Sequence, residues 1–152
     1  MNNQRKETLD AIMKAMELEK ETFDFYTRAE QKTFNAGGKR ILRWLARTEE
    51  AHYLKLTELF SSLDQGGRWV FYGGTTIPLE SGDPEEKHIG FDTNDLEALE
   101  VAMDIEKKGI AYFDDLAKST TDPDGRSMLE TLRDEEKEHL RIITEKYESI
   151  KG

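Results

Sequence analysis

The sequence predicts an all-α protein, an up-down four-helix bundle with one long crossover between the second and third helices. Three observations predict this fold class. Apolar residues recur every three or four positions in four long segments, the spacing of one helix face. Short breaks that contain glycine or proline separate the segments within each pair. The two pairs also match each other at a constant offset of 87 residues, which indicates a helix–turn–helix unit used twice.

The first two helices are predicted from about residue 4 to 32 and from about 39 to 63. The inward stripe of the first is Leu9, Ile12, Met16, Glu19, Phe23, Tyr26 and Glu30. The run Asn35–Gly38 is interpreted as a break whose glycines end the first helix. The stripe of the second helix is Leu42, Leu45, Glu49, His52, Leu56, Leu59 and Leu63.

Residues 66–92 differ in composition from the helical segments. They contain six glycines, two prolines and a short β-prone run, Trp69–Tyr72. We interpret this stretch as a crossover that carries the chain between the two ends of the bundle. The whole chain, residues 1–152, is therefore expected to form a single domain, with the aromatic run covering the bundle or contacting another subunit.

The last two helices repeat the pattern of the first two. The third has Asp95 in its first turn, and its stripe is Leu96, Leu99, Met103, Glu106, Ile110, Phe113 and Ala117. Asp122 and Pro123 suit the start of the fourth helix. Its stripe is Leu129, Leu132, Glu136, His139, Ile143, Lys146 and Ile150.

The inward stripes contain polar residues that a plain apolar core would not use. Each helix carries one glutamate near its middle, and the spacing Glu-x-x-His occurs at Glu49–His52 and again at Glu136–His139. Adding 87 to positions 19, 49 and 52 gives 106, 136 and 139, so both halves carry the same set. An isolated glutamate on such a stripe would lose its hydration without compensation. We therefore predict six metal ligands: Glu19, Glu49, His52, Glu106, Glu136 and His139.

Charge balance favours two cations at this site. Four carboxylates would repel one another at low dielectric, whereas two divalent ions neutralise them and two imidazoles complete the ligand set. Carboxylate and imidazole suit iron, with manganese or zinc as alternatives. Glu49 and Glu136 are expected to bridge the ions, and Glu19 and Glu106 to be terminal. No catalytic residue beyond the metal ligands and no organic cofactor site is predicted.

Other polar and aromatic residues near these positions have simpler interpretations. The neighbouring glutamates that lie off the stripes are expected to be surface charge, except that one could accept a hydrogen bond from a histidine ring. They are Glu17, Glu21, Glu50, Glu135 and Glu138. Ordinary packing is favoured over a redox role for Tyr26 and Tyr112, and His88 is interpreted as a loop histidine.

Composition excludes several classes of function. The formal charge of −10 argues against binding nucleic acid or an anionic membrane. The sequence has no cysteine, which excludes disulfides and thiolate metal sites within it. Without an apolar signal core or a long apolar run, a cytoplasmic protein is expected.

The chain resembles the ferritin-like superfamily, specifically the rubrerythrin-type di-iron domain. The residues that carry this resemblance are Glu19 with Tyr26, Glu49-x-x-His52, Glu106 and Glu136-x-x-His139. It covers all four helices and implies a di-iron centre that reacts with peroxide or dioxygen, as a peroxidase, ferroxidase or oxygenase.

Two departures from the family pattern affect this expectation. Full-length rubrerythrins also carry a four-cysteine rubredoxin-like module, which is missing here, so an external electron donor protein is expected. They also have a further glutamate one turn from the third-helix ligand, where this chain has Met103 and Gly109.

Two other functions stay open from the residues alone. One is non-catalytic metal binding for iron storage, delivery or sensing, and the other is a metal-free helical scaffold. A homodimer is also expected, because Trp44 and the aromatic residues of the crossover would otherwise lack cover.

Overall fold

A computed structural model describes residues 3–75, 77–79 and 93–151, and it contains four helices. They are α1 (Asn3–Lys32), α2 (Ala36–Asp64), α3 (Thr93–Ser119) and α4 (Pro123–Lys151). The described ranges contain no strand, which confirms the predicted all-α four-helix bundle. Part of the predicted crossover, including His88, lies outside the described residues.

The bundle is assembled from two helical pairs. Helix α1 packs along α2 and α3 packs along α4, while smaller contacts join α1 to α3 and α2 to α4. Three residues separate α1 from α2, and three separate α3 from α4, and such short turns make each pair antiparallel. In the ranges described here, no helix combines the length and apolar character needed to cross a bilayer.

The turn between α1 and α2 corrects one prediction. The glycines at 37 and 38 do not end α1; they lie in the first turn of α2, which begins at Ala36. Asn35 is the N-cap of α2, and its side-chain oxygen accepts a hydrogen bond from the backbone N–H of Gly38 at 2.9 Å. A Cβ at Gly37 would meet the end of the Lys146 side chain of α4, which would have to move to make room for it.

The apolar core consists of two clusters, one toward each end of the bundle. The first contains the starting part of α1 with the ends of α2 and α3, including Ile12, Leu59 and Phe113. The second contains the end of α1 with the start of α2, including Tyr26 and Leu42. The predicted ligands occupy the middle of each helix, between the residues of these two clusters. The polar residues therefore form a separate central layer.

The described part of the crossover lies against the bundle. Trp69, Val70 and Tyr72 pack on the first core cluster, whereas Phe71 is 86% exposed. The indole N–H of Trp44 donates to the backbone carbonyl of Ile77 at 2.8 Å. The aromatic run thus covers the bundle of its own chain without forming a strand, and Ile77, further along the crossover, contacts Trp44. The expected homodimer remains a prediction.

Asp95 joins the first turn of α3 to the turn between α1 and α2. Its side chain is 1% exposed, and its two oxygens accept hydrogen bonds from the backbone N–H groups of Phe34 and Asn35, both at 2.8 Å. The sequence predicted only a favourable position relative to the helix dipole. The carboxylate also connects the two helical pairs at one end of the bundle.

We expect Asp95→Ala to lower the free energy of unfolding by about 2–3 kcal/mol, because two buried N–H groups would lose a charged acceptor. Chemical denaturation followed by far-ultraviolet circular dichroism measures this change. Asp104→Ala, at an exposed position of the same helix, is the matched control and should stay within about 0.5 kcal/mol of the parent protein. Equal stability of the two variants would contradict this role of Asp95.

Candidate metal centre

All six predicted ligands are buried in the central layer of the bundle. Their exposed fractions lie between 0% for His52 and 4% for Glu19. Each helix contributes through its inward stripe, because residues three or four apart share one face of a helix. The i, i+3 spacing accordingly places His52 beside Glu49 and His139 beside Glu136.

The six side chains form two overlapping groups. One group is Glu19, Glu49, His52 and Glu136, and the other is Glu49, Glu106, Glu136 and His139. Within each group, one potential ligand atom per residue lies within 4.8 Å of every other. Glu49 and Glu136 belong to both groups, which is where bridging carboxylates would have to be. The assignment of the six as ligands remains a prediction that this geometry supports.

Both histidines direct the same ring nitrogen toward the carboxylates. His52 Nδ1 lies 3.0 Å from Glu136 Oε1 and 3.4 Å from Glu49 Oε2. His139 Nδ1 lies 3.1 Å from Glu49 Oε1 and 3.6 Å from Glu106 Oε2. The two rings are nearly parallel, 11° apart, with centroids separated by 5.9 Å. The imidazoles therefore face the shared carboxylates from two related positions.

The side chains strongly perturb one another's protonation. Burial and the adjacent charges of Glu106 and Glu49 raise the pKa of Glu136 well above its usual value. Burial also acts to raise the pKa of Glu49, but the two neighbouring imidazoles outweigh it and lower that pKa to about 2. Burial acts to lower the pKa of His139, yet Glu106 and Glu49 raise it to about 9. Without a metal ion, the raised pKa values of Glu136 and His139 favour bound protons as the positive charge within this layer.

Several donor atoms of the six side chains make no hydrogen bond to one another and are available to coordinate a metal ion. Five buried atoms in the described part of the chain make no hydrogen bond: Glu19 Oε2, Glu49 Oε2, His52 Nδ1, Glu106 Oε2 and Glu136 Oε1. Buried polar atoms normally have a partner, so a group of orphaned ones marks a site for something else. Carboxylate oxygen with imidazole nitrogen is a donor set for iron, manganese or zinc. The cluster therefore has the composition and geometry of a metal-binding site.

Glu135 is the off-stripe glutamate that contacts a histidine ring. Its Oε1 lies 3.2 Å from His52 Nε2, on the side of the ring opposite the other carboxylates. It also accepts hydrogen bonds from the Tyr72 hydroxyl and, at 3.0 Å, from the Thr75 backbone N–H. The sequence indicated that one such glutamate could exist but not which one, because its partners come from the crossover. The other four are exposed: Glu17, Glu21, Glu50 and Glu138.

Tyr26 takes part in the centre, in addition to packing in the core as predicted. Its side chain is fully buried, and its hydroxyl donates to Glu106 Oε1 at 2.6 Å. Burial and the Glu106 charge raise the pKa of Tyr26, so the phenol keeps its proton. Tyr112 lies apart from the site, since its hydroxyl donates to the backbone carbonyl of Ala11 at 2.7 Å. The position of Tyr26 on the same stripe as Glu19 was the signal available in the sequence.

We expect Glu136→Gln to raise the free energy of unfolding of the metal-free protein, because an amide of the same shape is neutral without having to take up a proton against its ordinary pKa. The gain should exceed about 1 kcal/mol, measured by denaturation in the presence of a chelator. Glu50→Gln makes the same chemical change at an exposed position of α2 and should leave stability unchanged. A less stable Glu136→Gln protein would show that this carboxylate stabilises the metal-free fold.

Comparison with known proteins gives one match. A family model described as Rubrerythrin matches residues 3–60, a range that covers α1 and most of α2 and includes Glu19, Glu49 and His52. No curated protein and no solved structure matches the chain significantly. The second half, Glu106 to His139, lies outside the matched range but repeats the same residues at the offset of 87. The match over residues 3–60 and the four-helix fold together support a ferritin-like domain of the rubrerythrin type.

Proposed function

We propose that the chain is a di-iron carboxylate protein, an oxidoreductase that acts on peroxide or dioxygen with an external electron donor. The observation that carries the proposal is the pair of overlapping buried groups that share Glu49 and Glu136. Two cations bound there would neutralise the four carboxylates. They would also be coordinated by the five buried polar atoms that make no hydrogen bond. The match to the rubrerythrin family model supports iron as the metal.

The donor set also supports a redox-active ion. Thiolates, which favour copper(I), zinc or iron–sulfur clusters, are missing from the sequence, and the site has four carboxylates with two imidazoles. Four carboxylate and two imidazole side chains are also the ligand set of ferritin-like di-iron and di-manganese bundles. Manganese and zinc are therefore the alternatives to test against iron.

The proposed chemistry divides between the ions and the protein. When bound, two ferrous ions supply the two electrons that, with two protons, reduce hydrogen peroxide to two water molecules. The helices hold the six ligands at fixed separations, and the two apolar clusters exclude bulk water on both sides. Tyr26 keeps a proton on its hydroxyl oxygen and orients Glu106 by donating to it. Glu135 orients His52 through Nε2.

Electrons must return to the centre after each turnover. The 152 residues include no cysteine, so this stretch of chain holds neither an iron–sulfur cluster nor a four-cysteine iron site. The proposal therefore assigns electron delivery to a separate donor.

Non-catalytic metal binding, for storage, delivery or sensing, is a second candidate. The observation that favours it is the burial of the ligands, none of which is more than 4% exposed. In this second function, the centre would hold its ions away from solvent and would not present them to a substrate.

We expect the purified protein to bind two iron ions per chain and to lose thermal stability when a chelator removes them. Binding to the folded state alone stabilises by about 4 kcal/mol at a free metal concentration 1,000 times the dissociation constant. Elemental analysis and calorimetric melting measure the two quantities. Glu49→Gln, which alters a carboxylate shared by both groups, should bind fewer than two ions, whereas Glu50→Gln should bind two. Identical melting with and without chelator would indicate the metal-free scaffold.

We expect the ferrous protein to be oxidised by hydrogen peroxide much faster than free ferrous iron at the same pH and concentration. Stopped-flow absorbance in the near ultraviolet follows the reaction. Glu50→Gln should react like the parent protein, because its side chain is exposed and off the stripe. Oxidation no faster than that of free iron would rule out the oxidoreductase and leave the storage, delivery or sensing function.

A further inference from the structure

The two halves of the centre have the same ligands but different surroundings. Residues 87 positions apart are equivalent, so Glu19 corresponds to Glu106 and His52 to His139. The residues that contact these ligands from outside the central layer do not repeat in the same way. The difference affects both the imidazole and the terminal carboxylate of each half.

In the first half, a carboxylate holds the imidazole from behind. His52 Nε2 lies 3.2 Å from Glu135, and Nδ1 is directed at the shared carboxylates. With a neutral ring, this arrangement puts the hydrogen on Nε2 and leaves the Nδ1 lone pair for an ion. A histidine that donates to a carboxylate is also a more basic ligand.

Glu135 is itself held by the crossover. The Tyr72 hydroxyl donates to its Oε1, and the Thr75 backbone N–H donates to its Oε2 at 3.0 Å. Gly74, with φ of +103°, shapes the backbone that approaches this carboxylate. Hydrogen bonds to both oxygens fix the orientation of the group that His52 contacts.

In the second half, no carboxylate among the described residues takes this place. The residue equivalent to Glu135 is Thr48, whose hydroxyl donates to the carbonyl of Leu45 at 2.9 Å. Within the described residues, the carboxylates within 4.0 Å of the His139 ring are closest to Nδ1. The Trp44 ring meets His139 edge-on at a centroid distance of 5.1 Å.

The terminal carboxylates differ in the same direction. Tyr26 donates to Glu106 Oε1 at 2.6 Å and so withdraws negative charge from the second half. The residue equivalent to Tyr26 is Phe113, which has no hydroxyl to donate to Glu19. The first half therefore has the more basic imidazole, His52. Its terminal carboxylate, Glu19, accepts no hydrogen bond from the position equivalent to Tyr26, which is Phe113.

We propose that the two cation positions are inequivalent, and that the position formed by Glu19, Glu49, His52 and Glu136 fills first and binds more tightly. Glu135 is the positioning residue for that half, since it acts through His52. The inference rests on the proposed metal centre, but it requires neither iron nor redox activity. It concerns only the order and strength of binding.

Titration of the metal-free protein with cobalt(II) tests the proposal through its visible absorption and heat of binding. The parent protein should take up two ions in two resolved steps. Glu135→Gln keeps the size of the side chain and an acceptor oxygen but removes the charge, and should weaken the first step about tenfold while leaving the second unchanged. Glu138→Gln makes the same change at an exposed residue of α4 and should alter neither step.

Tyr26→Phe tests the other half independently. Removal of the hydroxyl frees Glu106 Oε1, so the second step should become severalfold tighter while the first is unchanged. Circular dichroism and chelator-treated melting of each variant show whether the fold is kept. A purely structural role of Glu135 would weaken both steps together and lower the melting temperature of the metal-free protein.

The outcomes separate this inference from the proposed function. Two identical steps in the parent protein, or a Glu135→Gln variant that weakens both steps equally, would overturn the inequivalence and leave the metal centre intact. No uptake of cobalt(II) would overturn the metal centre itself. Two resolved steps that respond separately to Glu135→Gln and Tyr26→Phe would establish the order of filling.

Discussion

The structure depends on four carboxylates that lie together in a layer from which water is excluded. At Glu136, for example, the charges of Glu106 and Glu49 add to the effect of burial, and together they raise the pKa of its carboxyl group. Such a layer can exist only if positive charge is placed within it, as protons or as metal ions. Both helical pairs contribute equally to this layer, so the polar cluster is an interaction between the two halves of the repeat.

The surroundings of the cluster turn a symmetric ligand set into an asymmetric one. The repeat accounts for the six ligands, but Glu135 and Tyr26 each have an equivalent of different chemistry, Thr48 and Phe113. A duplicated unit can keep its metal-binding residues while the neighbouring positions diverge. Second-layer contacts of this kind are known to tune metal affinity without altering the ligands.

Helical periodicity was sufficient to predict the four helices and the convergence of Glu19, Glu49 and Glu106 in the core. It was not sufficient where a residue's partner lies outside its own helix. Glycine after a helix is compatible with a helix stop or with the start of the next helix, and only the Asn35 cap shows that Gly37 and Gly38 belong to the first turn of α2. Glu135 lies off the inward stripe, and its role depends on the path of the crossover, which period and composition leave undetermined.

The separation of the core into two apolar clusters has a consequence for how the helices are aligned. Layers built from leucine and isoleucine are nearly interchangeable, so a helix displaced by one turn could still bury apolar side chains. A displaced helix would, however, bring a carboxylate such as Glu49 against leucine and leave its partners without it. The polar layer therefore fixes how the four helices are aligned along the bundle axis, as a single buried asparagine fixes the register of a coiled coil.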